Sequence, residues 1–223
     1  IEDCAHAMLS ELNGQKLGTF KNFAIFSLQA IKHLTTGDGG LLFCPDLKTY
    51  KKAKLLRWFG IDRENKNNTK IDSRLENDVK DWGYKYHMND INATIGINNL
   101  KSLNKIIRLN RNNSKYLYDK IKDFKNIKCL SPISEKFKSS YWLFTIRIKN
   151  KNKFMKYMND QGVFVSQVHK RNDVHTCFKK FKTKLPNLDK LEKEMVCIPC
   201  GWWLSKKELN HIIKNIKDFC NTV

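Results

Sequence analysis

The stretch Phe26–Gly40, FSLQAIKHLTTGDGG, decides how this chain is read, because its one lysine, Lys32, sits in company unlike that of the others. Elsewhere lysines crowd together, as in KKAK (Lys51–Lys54) or FKKFKTK (Phe178–Lys184), where a solvated face accounts for them. Lys32 instead follows an apolar run (Phe23, Ala24, Ile25, Phe26, Leu28) that predicts a buried strand. It precedes a Thr-Thr-Gly turn and a second apolar run, Leu41–Phe43. A lysine at the mouth of two buried strands either snorkels out to water or is chemically used.

The 223 residues are enough to bury a core of one or two domains. Lys and Arg number 42 against 22 Asp and Glu, a formal charge of +20. That surplus is Lys interleaved with Asn along the whole chain, as in RENKNNTK (Arg63–Lys70) and RLNRNNSK (Arg108–Lys115). Nucleic-acid binders concentrate Arg, Lys and aromatics on one element, so the charge is read as a solvated surface and no nucleic-acid partner is expected. Seven cysteines, no leader-like opening and no apolar run of membrane-spanning length predict a reducing, cytoplasmic setting with no membrane partner. Cys197 and Cys200 have CxxC spacing without a second pair, so they are read as core or loop thiols and no metal is expected.

Hairpin chemistry appears at Asn13–Phe20 and a helical period at Leu47, Tyr50, Ala53 and Leu56, ending at Gly60. Asp62–Asp81 is polar and reads as a surface excursion. Tyr84–Phe124 suits one long helix or two end to end, with Asn89 as N-cap and Asp90 in the first turn. The last third reads strand (Tyr141–Lys149), helix (Lys153–Gly162), strand (Val163–His169), helix (Asn187–Val196) and helix (Ser205–Phe219), an α+β unit.

A lysine used as a carbonyl-binding amine must be neutral part of the time, which partial burial and nearby charge can arrange. A pyridine-based cofactor also needs a carboxylate at its ring nitrogen and a phosphate anchor of hydroxyls and backbone N–H groups. Asp3, at the end of an opening strand, Ser27, and the Gly-rich turn after Lys32 offer these groups. GDGG without a following Lys-Ser/Thr is not a nucleotide-binding P-loop.

Three successive segments carry a resemblance: IEDCAHA (Ile1–Ala7), FSLQAIKHLTTGDGG, and GYKYHMNDINATIG (Gly83–Gly96). Together they resemble the signatures of the DegT/StrS family of pyridoxal-phosphate sugar aminotransferases, and the likeness runs on weakly through Gln161–His169 and Leu191–Pro199. It implies an α/β chain of the type I pyridoxal-phosphate transferase fold, aspartate aminotransferase-like. Residues 1–97 would be the C-terminal part of the cofactor-binding large domain and residues 98–223 the small α+β domain with the linking helix. It implies pyridoxal 5'-phosphate as cofactor, with Lys32 forming the Schiff base and then moving protons. Asp3 would pair with the pyridine nitrogen, His6 contact the cofactor ring and Ser27 contact the phosphate. The implied reaction takes an amino group from glutamate to a keto-deoxysugar linked to a nucleotide, in a homodimer. A dehydratase branch with histidine in place of the lysine is disfavoured by Lys32.

The chain also departs from the family. Many members read Tyr-Asn-Tyr-Arg-Met where Tyr84–Met88 is YKYHM, so Lys85 either reaches the neighbouring subunit's cofactor phosphate or points to solvent. The substrate loop is VHKRNDVH (Val168–His175), one residue longer between its histidines than in many members. His169, Arg171 and His175 are expected to face a nucleotide diphosphate or a carboxylate. Members also carry the first strands of the large domain and a Gly-Thr phosphate turn ahead of the position of Ile1, so an incomplete large domain is expected. The alternative is a non-catalytic fragment that binds a partner.

Overall fold

The computed structural model describes residues 1–64, 79–130, 134 and 136–222. In chain order the strands and helices are β1 (Glu2–Asp3), β2 (Glu11–Leu12), β3 (Gln15–Lys16), β4 (Ala24–Ser27), β5 (Gly40–Phe43), α1 (Leu47–Leu56), α2 (Asp90–Leu100) and α3 (Leu103–Ile121). They continue as β6 (Ile127–Cys129), β7 (Phe137–Lys138), β8 (Phe144–Ile148), α4 (Lys151–Asp160), α5 (Pro186–Glu192), β9 (Met195–Ile198) and α6 (Lys206–Thr222), with two 3-10 turns at Asn172–Val174 and Thr176–Phe181. Most of the polar stretch Asp62–Asp81 lies outside the described residues. Contacts divide the chain into two units, Ile1–Met8 with Gln15–Leu103, and Leu9–Gly14 with Asn104–Val223.

In the first unit β4 lies between β1, parallel to it, and β5, antiparallel. Ala24 and Phe26 point inward and, with Cys4, form a small core. The sheet's other face is open, with Ile25 and its cross-strand partner Leu42 both exposed; Leu41 and Phe43, on the same face as Ala24 and Phe26, are exposed too. The expected Asn89 cap is present, and Asp46 caps α1 as well. Asp46 accepts the Thr49 N–H at 2.8 Å to start α1, and Asn89 accepts the Asn92 N–H at 2.9 Å to start α2. Neither helix buries a residue fully, and Ile91 and Ile97 of α2 are exposed.

The second unit has a different economy. Its sheet runs β6-β8-β9, all antiparallel, and β8 alternates buried Phe144, Ile146 and Ile148 with half-buried residues. That face packs on Leu117 and Ile121 of α3, Phe154 and Met158 of α4, and Ile212, Ile216 and Phe219 of α6. A capping box starts α6: Ser205 Oγ accepts the Glu208 N–H and Glu208 Oε2 accepts the Ser205 N–H. Arg147 of β8 pairs with Glu194, the residue just before β9, at 2.5 Å.

Two expected elements came out differently. Val163–His169 alternates like a strand, with Val163 and Val165 buried and Phe164 exposed, yet only Ser166 pairs, in a single bridge with Cys197. Val168 then takes a left-handed φ of 68° and turns the backbone off the ladder. The helix expected over Asn187–Val196 stops at Glu192, and Met195–Ile198 becomes β9, where Val196 and Ile198 bury their β-branched side chains.

Because the consolidated core is in the second unit, equal truncations should differ in cost. Phe144→Ala should lower stability by roughly 3–5 kcal/mol, whereas Leu42→Ala, at an open face, should cost less than about 1 kcal/mol. Chemical denaturation of the two variants checks this, and similar costs would contradict the asymmetry.

Candidate active site

Asp3 and Ser27 end the parallel strands β1 and β4, at the same edge of the sheet. The Asp3 carboxylate turns back to accept the Ala5 N–H at 3.1 Å, and His6 follows in the turn closed by the Ala7 N–H on the Cys4 carbonyl. Ser27 Oγ accepts the Gln29 N–H at 3.4 Å.

Beyond Ser27 the chain makes the loop that carries Lys32, and the loop is stitched from within. Leu28 N–H donates to the Gly39 carbonyl at 2.8 Å, which closes the loop at its base just above the Ser27–Gly40 pair of the ladder. The Leu28 carbonyl in turn accepts the Thr36 N–H at 2.9 Å and the Thr35 hydroxyl at 3.2 Å. Lys32 N–H donates to the Gln29 carbonyl, turning the backbone at the lysine. Gly39 has φ of 149°, and a Cβ there would lie 2.8 Å from both Met88 Cε and Thr36 Oγ1, so only glycine fits.

Helix α2 buttresses the loop from outside through Asn92, Gly96 and Asn99, spaced i, i+4, i+7 on one face. Asn92 Nδ2 donates to the Asp38 carbonyl at 2.8 Å and Asn99 Nδ2 to the Thr35 carbonyl at 3.0 Å. Between them Gly96 lets the helix approach so closely that a Cβ would come within 2.6 Å of Thr36 Cγ2. Sequence reading missed these three residues as site supports; their helical spacing was the available signal.

The outcome is a partly buried Lys32 whose amine is pushed below the ordinary lysine range, chiefly by desolvation, while the nearby Asp3 carboxylate pulls it back up. The structure therefore couples Asp3 with Lys32 electrostatically.

Lys85 makes an isolated bridge with Trp58 and holds its ammonium 5.7 Å over the indole. Tyr84 and Tyr86 stack on each other at 4.9 Å. His87 meets the same indole edge-on at 3.9 Å, and burial together with Lys85, Arg57 and Arg63 holds its imidazole below the usual histidine range.

In the second unit His169, Arg171 and His175 line a cavity of about 640 Å³. His169 lies nearly parallel to Trp142, with ring centroids 6.3 Å apart. Arg171, expected to face a substrate anion, instead spends its guanidinium on protein carboxylates: Asp173 by two bonds of 2.8 and 2.5 Å, Asp189, and Glu192 at 3.5 Å. Of the CxxC pair, Cys200 is fully buried, donates its thiol proton to the Tyr141 carbonyl at 3.4 Å and is pushed up to about 12 by burial.

The chain is similar to known proteins over nearly all of its length. It is 28% identical over 220 residues to a UDP-4-amino-4,6-dideoxy-N-acetyl-beta-L-altrosamine transaminase of Campylobacter jejuni, covering 95% of this chain and 56% of that one. It superimposes on the sugar aminotransferase CalS13 of Micromonospora echinospora with a TM-score of 0.90 at 32% identity, covering 97% of this chain and 57% of that one. AtS13 of Actinomadura melliaura gives the same TM-score and coverage at 35% identity. The chain thus spans a little over half the length of the relatives it matches, and its fold is the type I fold of these pyridoxal-phosphate enzymes. Residues 1–217 match the DegT/DnrJ/EryC1/StrS aminotransferase family, and with Lys32 and Asp3 placed as described the chain belongs to that family.

Proposed function

We propose that this chain carries the lysine-bearing part of a pyridoxal-phosphate aminotransferase that moves an amino group from glutamate to the keto group of a nucleotide-linked deoxysugar, working as a cytoplasmic homodimer in amino-sugar biosynthesis. The observation that supports this most is the partly desolvated Lys32 beside Asp3 on a stitched loop. The nucleotide-sugar part rests on the activity named for the Campylobacter jejuni relative. Exposed apolar side chains on α2, Ile91 and Ile97 among them, suit a surface that a second copy covers.

The donor set fits the cofactor: an amine for its aldehyde, a carboxylate for its pyridine nitrogen, and a hydroxyl for its phosphate. When bound, pyridoxal phosphate supplies an electron sink for the carbon that bears the migrating nitrogen. Asp3, as a carboxylate, holds a proton on the ring nitrogen. Lys32 Nζ, neutral more often than a surface lysine, would take the proton that leaves the donor's α-carbon and, in the acceptor half-reaction, would supply one to the acceptor's carbon. Ser27 Oγ accepts from Gln29 N–H and so keeps its own proton to give a phosphate oxygen. His6 is assigned to the cofactor ring, Lys85 to a phosphate as a point charge, and His169 and His175 to the substrate.

Three outcomes are expected. Reduction with borohydride in the presence of pyridoxal phosphate should place the label on Lys32, read by peptide mass spectrometry; equal labelling of a Lys32→Ala variant at another lysine of the site would overturn the assignment and favour the partner-binding fragment. In the cofactor-loaded protein, release of 2-oxoglutarate from glutamate should fall roughly 10²–10⁴-fold in Lys32→Ala and fall severely in Asp3→Asn with cofactor binding still measurable. Normal release in Asp3→Asn would remove its role. Gly96→Val should push the helix off Thr36 and reduce Lys32 labelling while leaving the core around Phe144 unchanged; undiminished labelling would show that the buttress is dispensable.

A further inference from the structure

Three carboxylates converge on one guanidinium in the second unit. Arg171 Nε and Nη2 grip both oxygens of Asp173, at 2.8 and 2.5 Å, in the planar two-bond geometry that only arginine offers. Arg171 Nη1 turns the other way, to Asp189 and, at 3.5 Å, to Glu192, which lie three residues apart on α5. The guanidinium side chain is only 9% exposed, so little of it is left for a ligand. A second tie runs alongside: Lys151 Nζ donates to Gln167 Oε1 at 2.8 Å and to the Glu192 carbonyl. The segment so fixed starts just after Val168, whose positive φ has swung the chain off the β9 edge, and it presents His169 against Trp142 and His175 toward the same cavity.

We infer that Arg171 is a positioning residue, a latch that fastens the His169–His175 segment to α5 so that the two imidazoles, rather than the guanidinium, face whatever occupies the cavity. That this occupant is the sugar nucleotide rests on the proposed function; the latch does not, and its test needs no substrate.

The reporter is the Trp142–His169 stack, because an imidazole held against an indole quenches its emission. At one fixed pH the wild type should emit less than His169→Ala, and that difference is the loss of Trp142 emission that His169 causes. Arg171→Lys keeps the charge but not the fork, and should retain less than roughly half of that His169-dependent loss while the melting transition persists. Full retention in Arg171→Lys overturns the latch. Should Arg171→Lys fail to fold, Asp189→Asn decides, since it alters only a half-exposed carboxylate of the knot: a reduced loss supports the latch and an unchanged one overturns it.

Discussion

The hydrogen bond from Leu28 N–H to the Gly39 carbonyl, 2.8 Å long, is the constraint on which the site depends. It closes the loop between β4 and β5 at its base, so that the residues between are held as a unit on the sheet edge. With the base closed, the Leu28 carbonyl gathers Thr35 and Thr36, and their backbone and side chains become the surface that α2 grips. Without that closure an ammonium at Lys32 would swing into water and relax to ordinary basicity. With it, desolvation is enforced by covalent and hydrogen-bonded geometry, and Asp3 limits how far the amine's basicity falls.

Much of this was legible in the residues. The Asn89 cap and the strands before Ser27 and after Gly40 follow from local rules and stand as expected, except that Leu41–Phe43, read as buried, is exposed. Residue type and spacing suggested Lys32, Asp3 and Ser27, and the family resemblance assigned their roles; Asp3 and Ser27 end β1 and β4 at the same end of the sheet because those strands pair in parallel. What stayed hidden was tertiary. Asn92, Gly96 and Asn99 read as ordinary helix-surface residues until the loop they support is in place. Arg171 read as an anion ligand because an arginine between imidazoles suits one, and nothing local shows that Asp189 and Glu192, eighteen and twenty-one residues on, neutralise it. Met195 and Val196 were read as the end of a helix, and pairing with β8 makes Met195–Ile198 a strand instead.

The two units divide labour in a way the composition does not reveal. The second unit concentrates its apolar side chains in one core between a three-stranded sheet and helices α3, α4 and α6. The first spends them on open faces, with Leu42, Phe43, Ile91 and Ile97 exposed, while keeping its chemistry-bearing residues on a tightly bonded loop. Rigidity at the site comes from polar stitching together with the buried Leu28, Leu34 and Thr36 of the loop, which suits a loop that must hold a reactive amine near the surface. The formal charge of +20 plays no part in this arrangement beyond setting a background of ordinary, solvated lysines.

That background supplies the control for the most direct measurement. Competitive acetylation of the protein's amines across the alkaline range, read peptide by peptide, gives each lysine its own titration midpoint. Lys32 should titrate below the surface lysines, and in Asp3→Asn its midpoint should fall further, because the anion that opposes desolvation has gone. A Lys32 midpoint among those of the surface lysines, or one that rises in Asp3→Asn, would contradict the coupling of amine and carboxylate at this site.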